Sequence, residues 1–345
     1  MHDKKKVTQL NDTKTLFFLK PMMNISEMII DLKQKNVKFN LITEEAAKDY
    51  LKYNNNYYNI TSFKHNFQKY PSPAGKYEGL YQNLDFAYLK DLAIIDYRVR
   101  LILFKIIINI EHYLKLQILN TIDTMKLENG YKIVNMYLEN DFNNTKFPKK
   151  VHNNILKKID NEYYRKIFSK YEVNMNKKIE NIPIWEFLEI ITFGELVNFY
   201  DFYTKQYNLL EENKDVYILK AIVKLRNAVA HNACILCELN KKDINYLASY
   251  KVIQYLKDCN IGKTTRDNKL SNSRIRQITY TLYMFNRIVT SDGVKENTSN
   301  ELNELFFSRI VLHSEYYNNN ELLKSVYKYF KNIIQKNYSS NNKNV

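Results

Sequence analysis

Arg226 and His231 stand five positions apart in the segment Leu225-Arg226-Asn227-Ala228-Val229-Ala230-His231-Asn232, with Asn227 between them. These three residue types suit one reaction. Cutting RNA without a metal requires a group that takes a proton from a 2′-hydroxyl and a group that protonates the leaving 5′-oxygen. It also requires a cation to stabilise the charge that gathers on the phosphorane. Histidine titrates in the range needed for acid/base work. Arginine stays charged, and its fork matches a pair of phosphate oxygens. One chain supplies one copy of each group, so a site built from two copies requires a dimer. The plain structural alternative is a buried histidine and a salt-bridged arginine on an ordinary helix, because an isolated R-x-x-x-x-H arises often by chance.

The element that must position this motif runs from Val216 to Ala233 (VYILKAIVKLRNAVAHNA). It contains neither Gly nor Pro and reads as a helix. At about 100° per residue Asn227 and His231 are i,i+4 neighbours, expected to point together into a cleft. Arg226 lies roughly 140° from His231 on the same count. It must reach the cleft from the flank or serve it from across a two-fold axis.

The remainder of the 345-residue chain reads as helices. Gly (6) and Pro (5) are too scarce for the many turns of a sandwich or an α/β fold, and a 45 % hydrophobic content supports a packed core. The net charge of +15 favours polyanionic partners, although abundant Lys, Asn, Ile and Tyr could also reflect composition alone. Three cysteines and an N-terminal stretch lacking a signal-like apolar core predict a soluble cytoplasmic protein. The most apolar run, Leu101–Ile110, is about half of what a bilayer requires.

In chain order, residues 1–19 read as loose. Asn24 or Ser26 caps a helix to about Lys35, and Thr43-Glu44-Glu45 opens a second. Pro71–Gly75 is the first candidate boundary. Leu84, Tyr88, Leu92, Ile95, Val99, Ile102, Ile106, Ile110 and Leu114 recur at helical spacing, marking Tyr81–Met125 as a long spine buried on most sides and ended near Asn129-Gly130. Residues 131–180 read as loops with a peripheral helix at 151–170. Helices are predicted after Pro183 and around Thr192, then over Asn240–Lys251, Asn272–Ile288, Leu305–His313 (started by Asn297–Asn303) and Glu321–Ile334, before a frayed tail from Ser339.

Other groups were weighed against structural roles. Asp96 and Arg100, at i,i+4, and Glu111 are either polar members of a site or an ion-pair network that fixes the bundle. Tyr58 and Lys64, within the stretch Tyr57-Tyr58…Lys64-His65…Phe67, could stack bases and hold phosphates, or simply pack. Cys234-x-x-Cys237 lacks a second ligand pair for zinc and reads as core. His313 reads as structural. No metal or other cofactor is expected.

Several ordered blocks resemble the Abi-like (AbiD/AbiF) family of phage abortive-infection proteins, part of the HEPN superfamily of helical ribonucleases. They are Lys20-Pro21; Tyr50-Leu51…Asn56-Tyr57-Tyr58…Phe67; Leu84-Asp85-Phe86…Leu92…Asp96…Arg100…Glu111…Leu114-Lys115; Ile182-Pro183-Ile184-Trp185…Glu189…Phe193-Gly194…Leu196; and Arg226–His231. Together they cover about residues 20–240. The chain departs after the motif, continuing Asn232-Ala233-Cys234 where relatives often carry a second His. The resemblance implies a metal-independent endoribonuclease with Arg226, Asn227 and His231 as catalytic residues. It also implies a homodimer, toxin-like behaviour in phage defence and, in some members, restraint by a small noncoding RNA. The alternative is a non-catalytic protein that binds structured RNA. The expected fold is all-α: an N-terminal helical region (1–75), a HEPN-like bundle (76–240) and a C-terminal helical extension (241–345), with RNA as partner and no membrane.

Overall fold

The computed structural model describes residues 22–339 apart from 74, 127–128, 147–148, 159–160, 165–180 and 214. The first 21 residues with Lys20-Pro21, the later part of the helix expected at 151–170 and the tail beyond Ser339 lie outside the described residues.

The protein is all-α. Among the described residues β-pairing is limited to two isolated bridges, Lys38 with Asp85 and Lys69 with Tyr81. The helices are α1 (Ile25–Gln34), α2 (Glu44–Tyr53), α3 (Tyr57–Ser62), α4 (Phe86–Met125), α5 (Lys132–Phe142), α6 (Lys150–Leu156), α7 (Ile184–Ile190), α8 (Phe193–Gln206), α9 (Leu210–Asn213), α10 (Val216–Ala230), α11 (Tyr250–Asp258), α12 (Lys263–Ser271), α13 (Ser273–Ile288), α14 (Asp292–Glu304) and α15 (Glu321–Asn337). Local capping explains several starts. Asn24 and Glu27 form a capping box on α1, Thr43 caps α2 through the Ala46 N–H, and Thr192 and Glu195 form a second box on α8.

The spine α4 is 40 residues long, about 60 Å. Its buried row contributes to two cores. Leu89, Leu92 and Ala93, with Leu84 and Phe86, pack with Ile29, Leu32, Ala47, Leu51, Ile60 and Phe63 from α1–α3 and the following turn. Leu103, Ile106, Ile110, Leu114 and Ile118 join the larger core with α7, α8, α10, α13 and α15. The α13 helix packs on both α4 and α10. The core therefore runs continuously across the boundary expected at residue 240, and residues 241–339 complete the bundle. Between α14 and α15 a π-turn (Leu305–Arg309) leads into 3-10 turns (Ile310–Tyr317) with a break at His313. Buried Asp91 on α4 clamps this segment, accepting from Arg309 at 2.5 Å and from the Tyr317 hydroxyl at 2.7 Å.

Three expectations are corrected. Residues 240–249 are not helical, because side chains and backbone from α12–α13 hold them in an irregular path: Asn272 Nδ2 donates to the carbonyls of Glu238 and Lys241, and the Asp243 N–H donates to that of Ser271. Asn297–Asn303 does not start a helix but lies inside α14, which begins after Ser291. The polar stretch after Gly130 contains α5, whose Ile133, Val134 and Leu138 reach the main core. The spine α4 leaves one face open, as a helix buried on most sides does. Tyr97, Leu101 and Ile108 form an outward row and are 54 %, 53 % and 50 % exposed.

Candidate active site

Helix α10 buries Ile218, Leu219, Ile222, Leu225 and Val229, at helical spacing, against α4, α8 and α13. Its exposed face carries Lys220, Lys224, Asn227 and then His231, at i, i+4, i+7 and i+11. The helix stops at Ala230, three residues earlier than the sequence pattern suggests. Asn232 adopts a left-handed backbone with φ of 58°, a conformation asparagine tolerates better than most side chains. The Ala233 N–H bonds the Ala228 carbonyl at 2.9 Å, and the Asn232 N–H bonds that of Val229 at 3.0 Å. These are the two bonds of a Schellman ending, so His231 is the C-cap residue.

The choice of Asn232 has a tertiary cause. Its Oδ1 accepts a hydrogen bond from Arg100 Nη1 on α4. Arg100 is 8 % exposed, and its Nε donates to Asp96 Oδ2 at 2.7 Å. Asp96, 1 % exposed, uses its other oxygen to accept the N–H groups of Ile235 and Leu236, each at 2.8 Å. One carboxylate thus holds the spine helix with one oxygen and the loop beyond His231 with the other. Burial pushes the Asp96 carboxyl up, opposed by the Leu236 N–H and the Arg100 guanidinium. The fixing role weighed for Asp96 and Arg100 is the one their geometry fulfils.

The motif residues share one surface. Asn227 and His231 are exposed and Arg226 is half-buried, with its Nη1 3.5 Å from Asn227 Oδ1. No hydrogen bond joins Arg226 to His231 among the described residues. The His231 N–H bonds the Asn227 carbonyl at 3.0 Å, while its ring makes no hydrogen bond among the described residues. Glu111 on α4 lies within electrostatic reach of Arg226. Burial raises its carboxyl, and Lys115 and Arg226 pull it back. Arg100, which holds Asn232, also lies beside the outward row of α4, its guanidinium 5.8 Å from the centre of the Tyr97 ring.

Tyr58 is 85 % exposed on α3, whereas its neighbours are engaged: Tyr57 donates to Asp31 and Phe67 stacks on Tyr88. Lys64 is half-buried, and burial together with Lys35 lowers its ammonium. The α3 helix abuts the loop beyond the motif, where Cys234 Sγ contacts the Asn59 amide and Ser62 Oγ. Burial pushes the Cys234 thiol to about 11 and also raises Cys237, consistent with packing roles. His313 stacks on Tyr316. No group of three or more His, Cys, Asp or Glu able to hold a metal occurs among the described residues. Nor is any helix among them long and apolar enough to cross a membrane.

Reasoning from sequence missed Lys220, Lys224 and Asn232. The two lysines were legible, since K-x3-K-x2-N-x3-H traces one helical face. Asn232 was not, because its partner lies 132 positions away.

The fold and site define an all-α protein in which Arg226, Asn227 and His231 lie at the end of a helix whose terminus is held by a buried ion pair. Residues 49–236, more than half the chain, match the Abi-like protein family, and the chain belongs to it. No curated protein and no solved structure matches the chain.

Proposed function

We propose that this protein is a metal-independent endoribonuclease of the HEPN type that acts in phage defence in the cytoplasm. The observation that carries the reading is the exposed end of α10. His231 presents an exposed imidazole there beside Asn227 and Arg226, on a turn locked by Arg100 and Asp96. In this reading His231 exchanges protons with the 2′-hydroxyl or the 5′-oxygen, Arg226 stabilises the phosphorane and Asn227 orients the ribose or the imidazole. Each chain brings one histidine, so two chains complete the site. The row Tyr97, Leu101 and Ile108 is the surface through which they meet, because it is apolar and its Tyr97 lies beside Arg100, which holds Asn232 at the end of the motif. Family membership supports a part in abortive infection. A small structured RNA lying on Lys220, Lys224, Tyr58 and Lys64 would restrain the activity.

The test is cleavage of labelled RNA in EDTA. Wild type should cut, and His231→Ala should cut about 10²–10⁴-fold more slowly. Equal cutting by both proteins, or a requirement for added metal, would overturn the mechanism. The exposed lysines and Tyr58 also suit the second reading, RNA binding without turnover. That reading predicts salt-sensitive binding with no cut products.

A further inference from the structure

The loop that leaves His231 ends in a second polar feature, away from the motif. A cleft of about 420 Å³ opens between residues 239–242, α12 and α15. This is within the range of small-molecule sites, roughly 300–1,000 Å³. Its wall carries Lys241, Lys242, Thr265, Asn268, Lys269 and Ser325, and no Asp or Glu lines it among the described residues. Lys269 is only 9 % exposed. Its ammonium donates to Ser325 Oγ at 2.6 Å and forms no ion pair among the described residues. An ammonium taken out of water with one neutral partner is costly, and burial lowers Lys269 from its ordinary value. Lys242 reaches Asn268 Oδ1 at 3.3 Å and likewise meets no carboxylate, whereas Lys241 pairs with Glu238 at 3.5 Å. The wall is held in place by Asn272, which donates to the Glu238 and Lys241 carbonyls.

We propose that this cleft binds the phosphoryl group of a phosphomonoester, with Lys269 at its floor and Lys242 at its rim. A phosphate dianion supplies the charge that two unmatched ammonium groups lack, and its three oxygens can accept from both lysines and from the Thr265 hydroxyl. A carboxylate would satisfy one cation and leave the other. The ligand is either a free mononucleotide or the 5′-phosphate end of an RNA, which present the same group. The site does not depend on the ribonuclease reading.

The experiment is calorimetric titration of the full chain with AMP and with a short 2′-O-methyl RNA carrying or lacking a 5′-phosphate. We expect AMP or the 5′-phosphorylated strand to bind, and which of them binds identifies the source. Lys269→Met, which keeps the aliphatic stem, should weaken binding about tenfold or more, and Lys242→Ala about threefold. The proposal is overturned if neither ligand binds at millimolar concentration, or if folded Lys269→Met binds as wild type does. It is also overturned if the 5′-hydroxyl strand binds, and binds as tightly as the phosphorylated one. Should Lys269→Met fail to fold, unchanged binding in both Lys242→Ala and Ser325→Ala overturns it.

Discussion

Replacing Asp96 by Ala should be among the most damaging single changes in the protein, and the arrangement around it gives the size. The substitution strands the Ile235 and Leu236 N–H groups, each of which now bonds Oδ1 at 2.8 Å. An unsatisfied buried donor costs about 1–3 kcal/mol. It also leaves the Arg100 guanidinium, 8 % exposed, without its carboxylate, a loss of roughly 3–5 kcal/mol. These effects overlap, so about 4 kcal/mol is expected, a large share of a typical 5–15 kcal/mol total. With an m-value of about 3 kcal/mol/M, the urea midpoint should fall by about 1.3 M. Arg100→Met removes the stranded cation, so the Asp96→Ala/Arg100→Met double variant should be more stable than the sum of the two single losses by about 2 kcal/mol. Urea denaturation of all four proteins, followed by circular dichroism, measures this. A coupling below about 0.5 kcal/mol would refute the idea that Asp96 and Arg100 act as a unit on the loop beyond His231.

Four further outcomes are expected. Asn232→Ala should cost about 1–2 kcal/mol, since it loses the Arg100 bond and strains the left-handed φ of 58°, while Asn232→Gly should cost less; thermal melts separate the two. Gly130→Ala should destabilise, because φ is 83° and the new methyl would sit 3.2 Å from Ile184 Cγ2 and 3.3 Å from Trp185 Cζ3; fluorescence of the chain's one tryptophan reports it. Burial raises the Glu111 carboxyl in the folded state, so its favourable contribution is present below the unfolded carboxyl value and is lost as pH rises through the folded one. Glu111→Gln should therefore flatten that part of the stability–pH curve, and an unchanged curve would contradict the assignment. Finally, Leu101→Glu with Ile108→Glu should shift the proposed dimer to monomer in analytical ultracentrifugation and slow RNA cutting, with His231 intact.

The helical class and the spine were legible because Ile and Leu recur at helical spacing from Leu84 to Leu114 and because Asn24, Thr43 and Thr192 cap locally. The motif was legible as residue types. Its setting was not. The helix ends at Ala230 because Arg100 captures Asn232, and no local pattern announces a partner more than a hundred residues away. The same reason underlies the departure at residues 240–249, whose irregular path depends on Asn272. Asn297–Asn303 misled in the opposite sense: its Asn, Thr and Ser resemble a cap, but the true cap is Ser291, which accepts from the Val294 N–H. The outward position of Tyr97, Leu101 and Ile108 was hidden because a helix rich in Ile and Leu reads as buried on most sides.

The division of α4 between two cores bears on how the chain could be taken apart. Cut near residue 75, the N-terminal piece would carry Ile29, Leu32, Leu51, Ile60 and Phe63 but not Leu84, Phe86, Leu89 or Tyr317, which complete their cluster. The C-terminal piece would hold the motif, yet it would lack Asn59 and Asn66, which touch the loop at Cys234 and Leu239. Neither piece would be whole, and each would expose the apolar surface the other covers. Co-expressed, they should reassemble as a split protein whose two halves restore the loop beyond His231 only on meeting.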